Sequence, residues 1–218
     1  PRYIHLRRYA FDDTPPGEVS QSDVLDEHDI ATITAADSFY VASYVMRDGK
    51  CQVDVSHRGG KPGFVKVEEN GALTVPDFNG NLFFNTLGNM LINPRAGLVF
   101  VDMRTGDLLQ MTGRTEVILD SADTLAFIGA ERMWRFFPER VIRRPGGLPL
   151  RWVEMENGTS PNVLMTGSWE DMDMRLKAAA LQQSWRPYKV VDIVQESETI
   201  RSFHLLPDDG VGVPPPMA

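Results

Sequence analysis

His57-Arg58-Gly59-Gly60-Lys61-Pro62-Gly63-Phe64-Val65-Lys66 places three lysine or arginine cations, three glycines and a proline in ten residues without one acid. The whole chain carries a formal net charge of -8, so this local positive charge stands against an acidic background. The stretch reads as the end of one strand, a turn, and the start of the next. Upstream, Cys51, Val53 and Val55 alternate with Gln52, Asp54 and Ser56, the period of a strand. Downstream, Phe64, Val65 and Val67 resume an extended apolar run. Glycines let backbone N–H groups approach a ligand closely, and cations beside them suit a phosphate. Backbone over residues 64–67 could border a flat ring.

From these residues alone, two readings stay open. One is an anionic, ring-bearing cofactor such as flavin mononucleotide (FMN). The other is a solvated basic hairpin, since glycine-plus-lysine loops are common.

The 218 residues are 42% hydrophobic, enough for one sizeable core with an appendage. No apolar run approaches the roughly 20 residues that span a bilayer. No charged-then-apolar leader opens the chain, so the expected location is cytoplasmic, with no membrane partner. One cysteine, Cys51, allows no internal disulfide and fits a reducing compartment. Its place in an alternating strand predicts a buried core role. The acidic balance argues against non-specific nucleic-acid binding, which needs a basic face.

Outward from the cationic stretch, the strands come in quick succession. Phe39 to Met46, nearly all apolar or small, reads as a strand buried on both sides, and Arg47-Asp48-Gly49-Lys50 as a hairpin turn. Leu73-Thr74-Val75 is another strand, closed by Pro76-Asp77. Leu82, Phe83, Leu87, Met90 and Leu91 then fall on one helical stripe, with Asn81, Asn85 and Asn89 on another face, and Pro94 ends the helix. Gly97 to Val101 reads as a central strand, and Leu108 to Leu119 as a long one with Gly113 at a barrel corner. Ala122 to Ala130 reads as a short helix, Arg132 to Arg143 as a strand, and Gly158 to Gly167 as polar and turn-rich. Ser168-Trp169-Glu170-Asp171 matches a capping box and opens a helix to about Ser184. Short strands with hairpin turns and a few inserted helices predict a mainly β (α+β) fold, an antiparallel barrel with peripheral helices.

This order, together with Asp37-Ser38-Phe39-Tyr40-Val41-Ala42, the cationic stretch, Asp77 to Asn81, Asn85 to Leu98 and Gln110-Met111-Thr112-Gly113-Arg114, resembles the pyridoxamine 5′-phosphate oxidase-like family of FMN-binding split β-barrels. The resemblance covers residues 33–152. It implies a Greek-key split barrel over residues 33–167, preceded by an arm and loop (1–32) and followed by a linker helix (168–184). It further implies a homodimer with FMN at the interface. Lys61 and Lys66 fall where the family oxidase has the Arg and Lys that bracket its flavin-contacting strand. Phe64 and Val65 would lie along the ring by backbone contact. Asn85 and Thr86 fall where the oxidase has an Arg-Lys pair near the phosphate; the neutral pair shifts the charge burden to Arg58, Lys61 and Lys66. The oxidase's residues for its pyridoxal phosphate substrates have no clear counterpart, so pyridoxamine phosphate oxidation is not expected.

Residues 185–218 look like the opening hairpin of a ferredoxin-reductase-type FAD domain, or else a docked tail. The expected function is therefore an FMN-binding oxidoreductase or electron-transfer domain, fed by a fused or separate NAD(P)H reductase. Its rivals are a flavin-free split-barrel dimerisation or binding module and a haem-binding barrel, for which His57 is the one visible axial candidate. Candidate FMN contacts are His57, Arg58, Lys61, Phe64, Val65, Lys66, Asn85, Thr86 and Asn89, with Asn81 and a tryptophan (Trp134, Trp152, Trp169 or Trp185) as further candidates. No catalytic residue is assigned, and the histidines are too scattered for a metal site.

Overall fold

A computed structural model of the chain describes residues 5–80, 84–183 and 187–208. It divides into two compact units, Pro1–Met174 and Arg175–Ala218.

The first unit is built on an antiparallel sheet. Its strands are β3 (Ser38–Arg47), β4 (Lys50–Gly59), β5 (Lys66–Val67), β6 (Leu73–Phe78), β7 (Arg95–Val101), β8 (Leu108–Ile118) and β9 (Ala130–Arg144), in the order β4-β3-β7-β8-β9-β6-β5. The Asp48-Gly49 turn joining β3 to β4 has both residues at positive φ, 52° and 72°, as a two-residue hairpin requires. Four strands separate β4 from β6 in this order, yet the Arg58 side chain on β4 contacts Asp77 on β6. The sheet is therefore rolled until its two sides meet through side chains. Among the described residues, no ladder joins β4 to β5.

β3 is not buried on both sides as expected: Phe39, Val41 and Val45 turn inward and are buried, whereas Tyr40, Tyr44 and Met46 on the other face are exposed. Phe39 stacks on Phe100 of β7 at 4.8 Å and meets Phe64 at 5.9 Å and Trp134 of β9 at 6.2 Å. Burying each such ring is worth about 1.5–3 kcal/mol. Trp134, offered above as a flavin cover, is instead fully buried in this core. The corner expected at Gly113 is present as a register shift between Thr112 and Gly113 on the β8–β9 ladder.

Helix α1 (Glu27–Ala35) starts at a reciprocal capping box between Asp26 and Asp29. Arg143 of β9 donates its Nε to buried Asp29 at 2.7 Å, makes a second contact with the same carboxylate, and lies 3.1 Å from Asp26. That fork fastens α1 to the sheet.

Several expectations need correction. Residues 1–32 are more than an arm: β1 (His5–Phe11) pairs with β10 (Leu150–Thr159), and β2 (Ser20–Ser22) pairs with β9. Neither pairing has a local sequence signal. The helix expected over Ala122 to Ala130 is only α3 (Ala122–Ala126), because the next residues turn into β9. Leu91, expected on the apolar stripe of α2 (Asn85–Ile92), is exposed, whereas Leu87 and Met90 are buried. Leu82 and Phe83 lie outside the described residues. The turn-rich stretch before Gly167 contains α4 (Pro161–Leu164). Cys51 is exposed rather than buried, because β4 turns its apolar side outward and its polar side toward α2.

Helix α5 (Trp169–Gln183) opens on the expected box: the Asp171 N–H donates to Ser168 Oγ at 3.1 Å, and the Ser168 N–H donates to Asp171 Oδ2 at 3.0 Å. In the second unit, β11 (Tyr188–Gln195) and β12 (Arg201–Pro207) form an antiparallel hairpin. Its register sets Tyr188, Val190 and Ile193 beside Pro207, Leu205 and Phe203 on one face. Among the described residues, no helix is long and apolar enough to cross a membrane.

Candidate functional site

The inward side of β4 carries Asp54, Ser56 and Arg58, and α2 lies against it. Buried Thr86 Oγ1 donates to Asp54 Oδ2 at 2.5 Å and lies 2.8 Å from Ser56 Oγ. Asn89 Nδ2 donates to Ser43 Oγ of β3 at 3.2 Å, and Asn93 Nδ2 donates to the Tyr44 carbonyl at 3.0 Å. Two of the amide and hydroxyl residues expected to meet FMN, Thr86 and Asn89, thus anchor α2 to β3 and β4. Thr86→Val should cost about 1 kcal/mol, read by denaturant titration, because the half-buried Asp54 and Ser56 both lose the hydroxyl that joins them to α2. Asn85, at the start of the helix, is exposed. Asn81 lies outside the described residues.

Arg58 reaches across to Asp77, and the same carboxylate lies 3.3 Å from Arg132 of β9. The Asp77 side chain is only 6% exposed and each arginine 19%. Burial pushes the Asp77 carboxyl above its ordinary range, against the opposing pull of the two guanidiniums. Arg132 also pairs with Glu131 at 2.7 Å, and its guanidinium lies 4.7 Å from the Phe84 ring. Phe84 is the N-cap of α2, offers no side-chain cap, and is followed by no acid in the first turn. The start of the helix is therefore electropositive and borders Arg132, which shares Asp77 with Arg58. Arg58 Nε is buried with no hydrogen-bond partner.

The rest of the cationic turn faces elsewhere. Lys61 Nζ donates to the Thr166 carbonyl at 2.5 Å. Trp169 Nε1 donates to the Phe64 carbonyl at 3.0 Å, and Phe64 N–H donates to the Lys61 carbonyl at 2.9 Å. Phe64 and Val65 side chains are core. Lys66 pairs with Glu68 at 3.1 Å and lies 5.6 Å from the Trp169 ring. The glycine N–H groups also have partners: Gly60 donates to Asp37 at 3.0 Å and Gly63 to Thr34 at 2.7 Å. A Cβ on Gly60 would sit 2.6 Å from the Phe64 ring, so this glycine makes room for a core side chain. His57 lies on the opposite face of β4, 5.5 Å from Tyr40, with its pKa lowered chiefly by burial. Trp152 lies on β10, and Trp185 lies outside the described residues.

The fold thus divides the expected site. Arg58 joins Asp77, Arg132 and the start of α2, while Lys61, Phe64 and Lys66 join the segment 166–169. Sequence reasoning missed Arg132 and the partner role of Asp77. The available signal was charge within otherwise apolar strands: all six residues of β6 are buried, Asp77 included. For a phosphate, the donor set fits: two guanidiniums, one with an orphaned buried N–H, beside an uncapped helix start.

No family model and no curated protein matches the sequence. Among solved structures, the chain is similar to an FAD-binding protein from Mesorhizobium loti at 16% identity, over 58% of this chain and 97% of that one, with a TM-score of 0.39. It is also similar to a protein related to general stress protein 26, of the pyridoxinephosphate oxidase family, from Clostridium acetobutylicum: 10% identity, 60% and 94% coverage, TM-score 0.38. A third is the heme storage protein from Vibrio cholerae, at 10% identity, 55% and 93% coverage and a TM-score of 0.37. By its own strand order and pairing, the chain is a mainly β, antiparallel protein with peripheral helices, laid out in the order that carries the resemblance to the pyridoxamine 5′-phosphate oxidase-like split barrels.

Proposed function

We propose that the chain binds a flavin nucleotide, FMN, and serves as an oxidoreductase or electron-transfer domain. The phosphate would lie at Arg58 and Arg132 beside the start of α2, with Asn85 at its edge. One observation carries this reading: Arg58 Nε is buried without an acceptor in a cluster that already draws two guanidiniums together. A buried donor left unpaired is costly, and an incoming phosphate oxygen would satisfy it. FMN, once bound, would accept and pass on electrons; the chain's part is to hold its phosphate and border its ring. A cytoplasmic location, a homodimer with FMN at the interface and an NAD(P)H reductase as electron source belong to the same proposal. The exposed thiol of Cys51 fits a reducing compartment.

A second reading, a flavin-free dimerisation module, is favoured by the commitment of Arg58 to Asp77 and of Lys61 to the Thr166 carbonyl. Titration of the purified protein with FMN and with riboflavin, followed by visible absorbance, separates the two. The flavin reading expects FMN to bind more tightly than riboflavin. Arg58→Lys keeps a cation for Asp77 but loses the guanidinium fork, and should lower FMN affinity about tenfold while leaving riboflavin unchanged. A protein that takes up neither flavin supports the module.

A further inference from the structure

We propose that Asp77 governs entry to the anion site: its carboxylate holds the phosphate's place in the free protein and takes up a proton when an anion claims Arg58 and Arg132. This deepens the flavin reading, on which it rests for the phosphate, by naming the residue that decides when that phosphate is held.

One carboxylate spans both guanidiniums. Asp77 Oδ1 contacts Arg58 Nη1 of β4, and Asp77 Oδ2 lies 3.3 Å from Arg132 Nη1 of β9. Two oxygens of one anion, each on its own arginine, is also the arrangement a phosphate would take there. The resident carboxylate and an incoming phosphate therefore compete for the same donors. The orphaned Arg58 Nε gives the newcomer a first hold that Asp77 does not fill.

The charges around Asp77 link this competition to protons. Arg58 faces it from β4, and Arg132 and Glu131 face it from β9. Helix α2 adds none, since no residue of Asn85 to Ile92 is ionisable. Asp54, the other acid on the inward side of β4, is engaged by Thr86, and His57 lies on the opposite face against Tyr40. Two cations and two carboxylates cancel. A phosphate of about −2 charge would leave the cluster strongly negative. Glu131 can keep its charge, because its side chain is 32% exposed and accepts from Asn79 Nδ2 at 2.8 Å. Asp77, at 6%, would be a bare carboxylate enclosed beside another anion. A proton removes that charge. Burial already favours the neutral form of Asp77 against the pull of the two guanidiniums, and weakening that pull carries the carboxyl further the same way. Between the free and the anion-bound pKa of Asp77 the complex holds more protons than the free protein. Anion affinity then falls as pH rises through that interval, by up to about tenfold per pH unit.

Calorimetric titration of the full 218-residue chain with sulfate, against chloride at equal ionic strength, tests this. Sulfate carries the charge of a phosphate dianion and keeps it from about pH 5 to about pH 8, whereas a phosphate monoester titrates near about pH 6. Wild-type affinity should fall with rising pH within that range. Infrared difference spectra should show a protonated carboxyl band appearing as sulfate is added. Asp77→Asn removes the competitor and its proton together. It should bind sulfate about tenfold or more tightly than the wild type at about pH 8, with a flat pH profile. Glu131→Gln should strengthen binding but keep the slope. The infrared band needs no variant, so it decides the matter even if Asp77→Asn does not fold. No sulfate bound, a flat wild-type profile, no carboxyl band, or a slope that survives Asp77→Asn each overturns the proposal. FMN and riboflavin titrations of the same samples keep the two readings apart. Proton-linked sulfate binding without FMN uptake sinks only the flavin reading. FMN bound in preference to riboflavin, with no proton taken up at Asp77, sinks only the role given to Asp77.

Discussion

Arg58→Ala should cost the fold about 3–5 kcal/mol at neutral pH, because it leaves a buried carboxylate short of a counter-ion. Asp77 is enclosed, and Arg132 at 3.3 Å would be its remaining cation. Burial already lifts the Asp77 carboxyl above its ordinary value, and removing Arg58 lifts it further. A carboxyl whose folded pKa exceeds its unfolded one weighs against the fold at every pH above the folded value. It ceases to do so below the unfolded value, where both states hold the proton. The loss relative to wild type should therefore be full at neutral pH and fade as the solution is acidified toward about pH 4. Urea titrations of both proteins across that range measure it. A loss that stays constant with pH would assign the effect to packing of the arginine stem instead.

Gly113→Val should be more damaging still, with a loss of about 3 kcal/mol or more, or no soluble protein. A Cβ at this position would lie 2.0 Å from the Phe137 carbonyl oxygen and 3.0 Å from the Phe136 ring. The first of these atoms is backbone, held in the β8–β9 ladder next to its register shift, so it cannot swing aside. The contrast is Gly88→Ala in α2, where an added Cβ meets nothing within 4 Å. That change should be neutral or stabilise by up to about 1 kcal/mol. Thermal unfolding of the two variants checks both signs, and a tolerated valine at Gly113 would mean that the corner is not fixed as described.

Much of the architecture could be read from local pattern. The Asp48-Gly49 turn, the alternation of β4 and the Ser168 capping box each encode their structure within a few residues, whereas the apolar run of β3 did not show that one of its faces is exposed. Pairings between distant segments could not be read this way. β1 with β10 and β2 with β9 join strands more than a hundred residues apart, and nothing in either partner names the other. The candidate site was legible as a composition and not as a geometry. The cations of residues 57–66 were visible, but alternation on β4 and the turn at Gly60 send Arg58 one way and Lys61 another. Arg132 was passed over because it sits in a strand that reads as core.

Local pattern was enough for the antiparallel, mainly β character, the place of α2 and the concentration of positive charge at residues 57–66, since period, turn chemistry and charge are properties of neighbours along the chain. The tertiary structure alone decided that β4 faces its polar side inward, that Asp77 draws Arg58 and Arg132 together, and that an apolar sheet face is left uncovered. Those outcomes depend on how the rolled sheet brings β4, β6, β9 and α2 into contact, which no stretch of sequence contains.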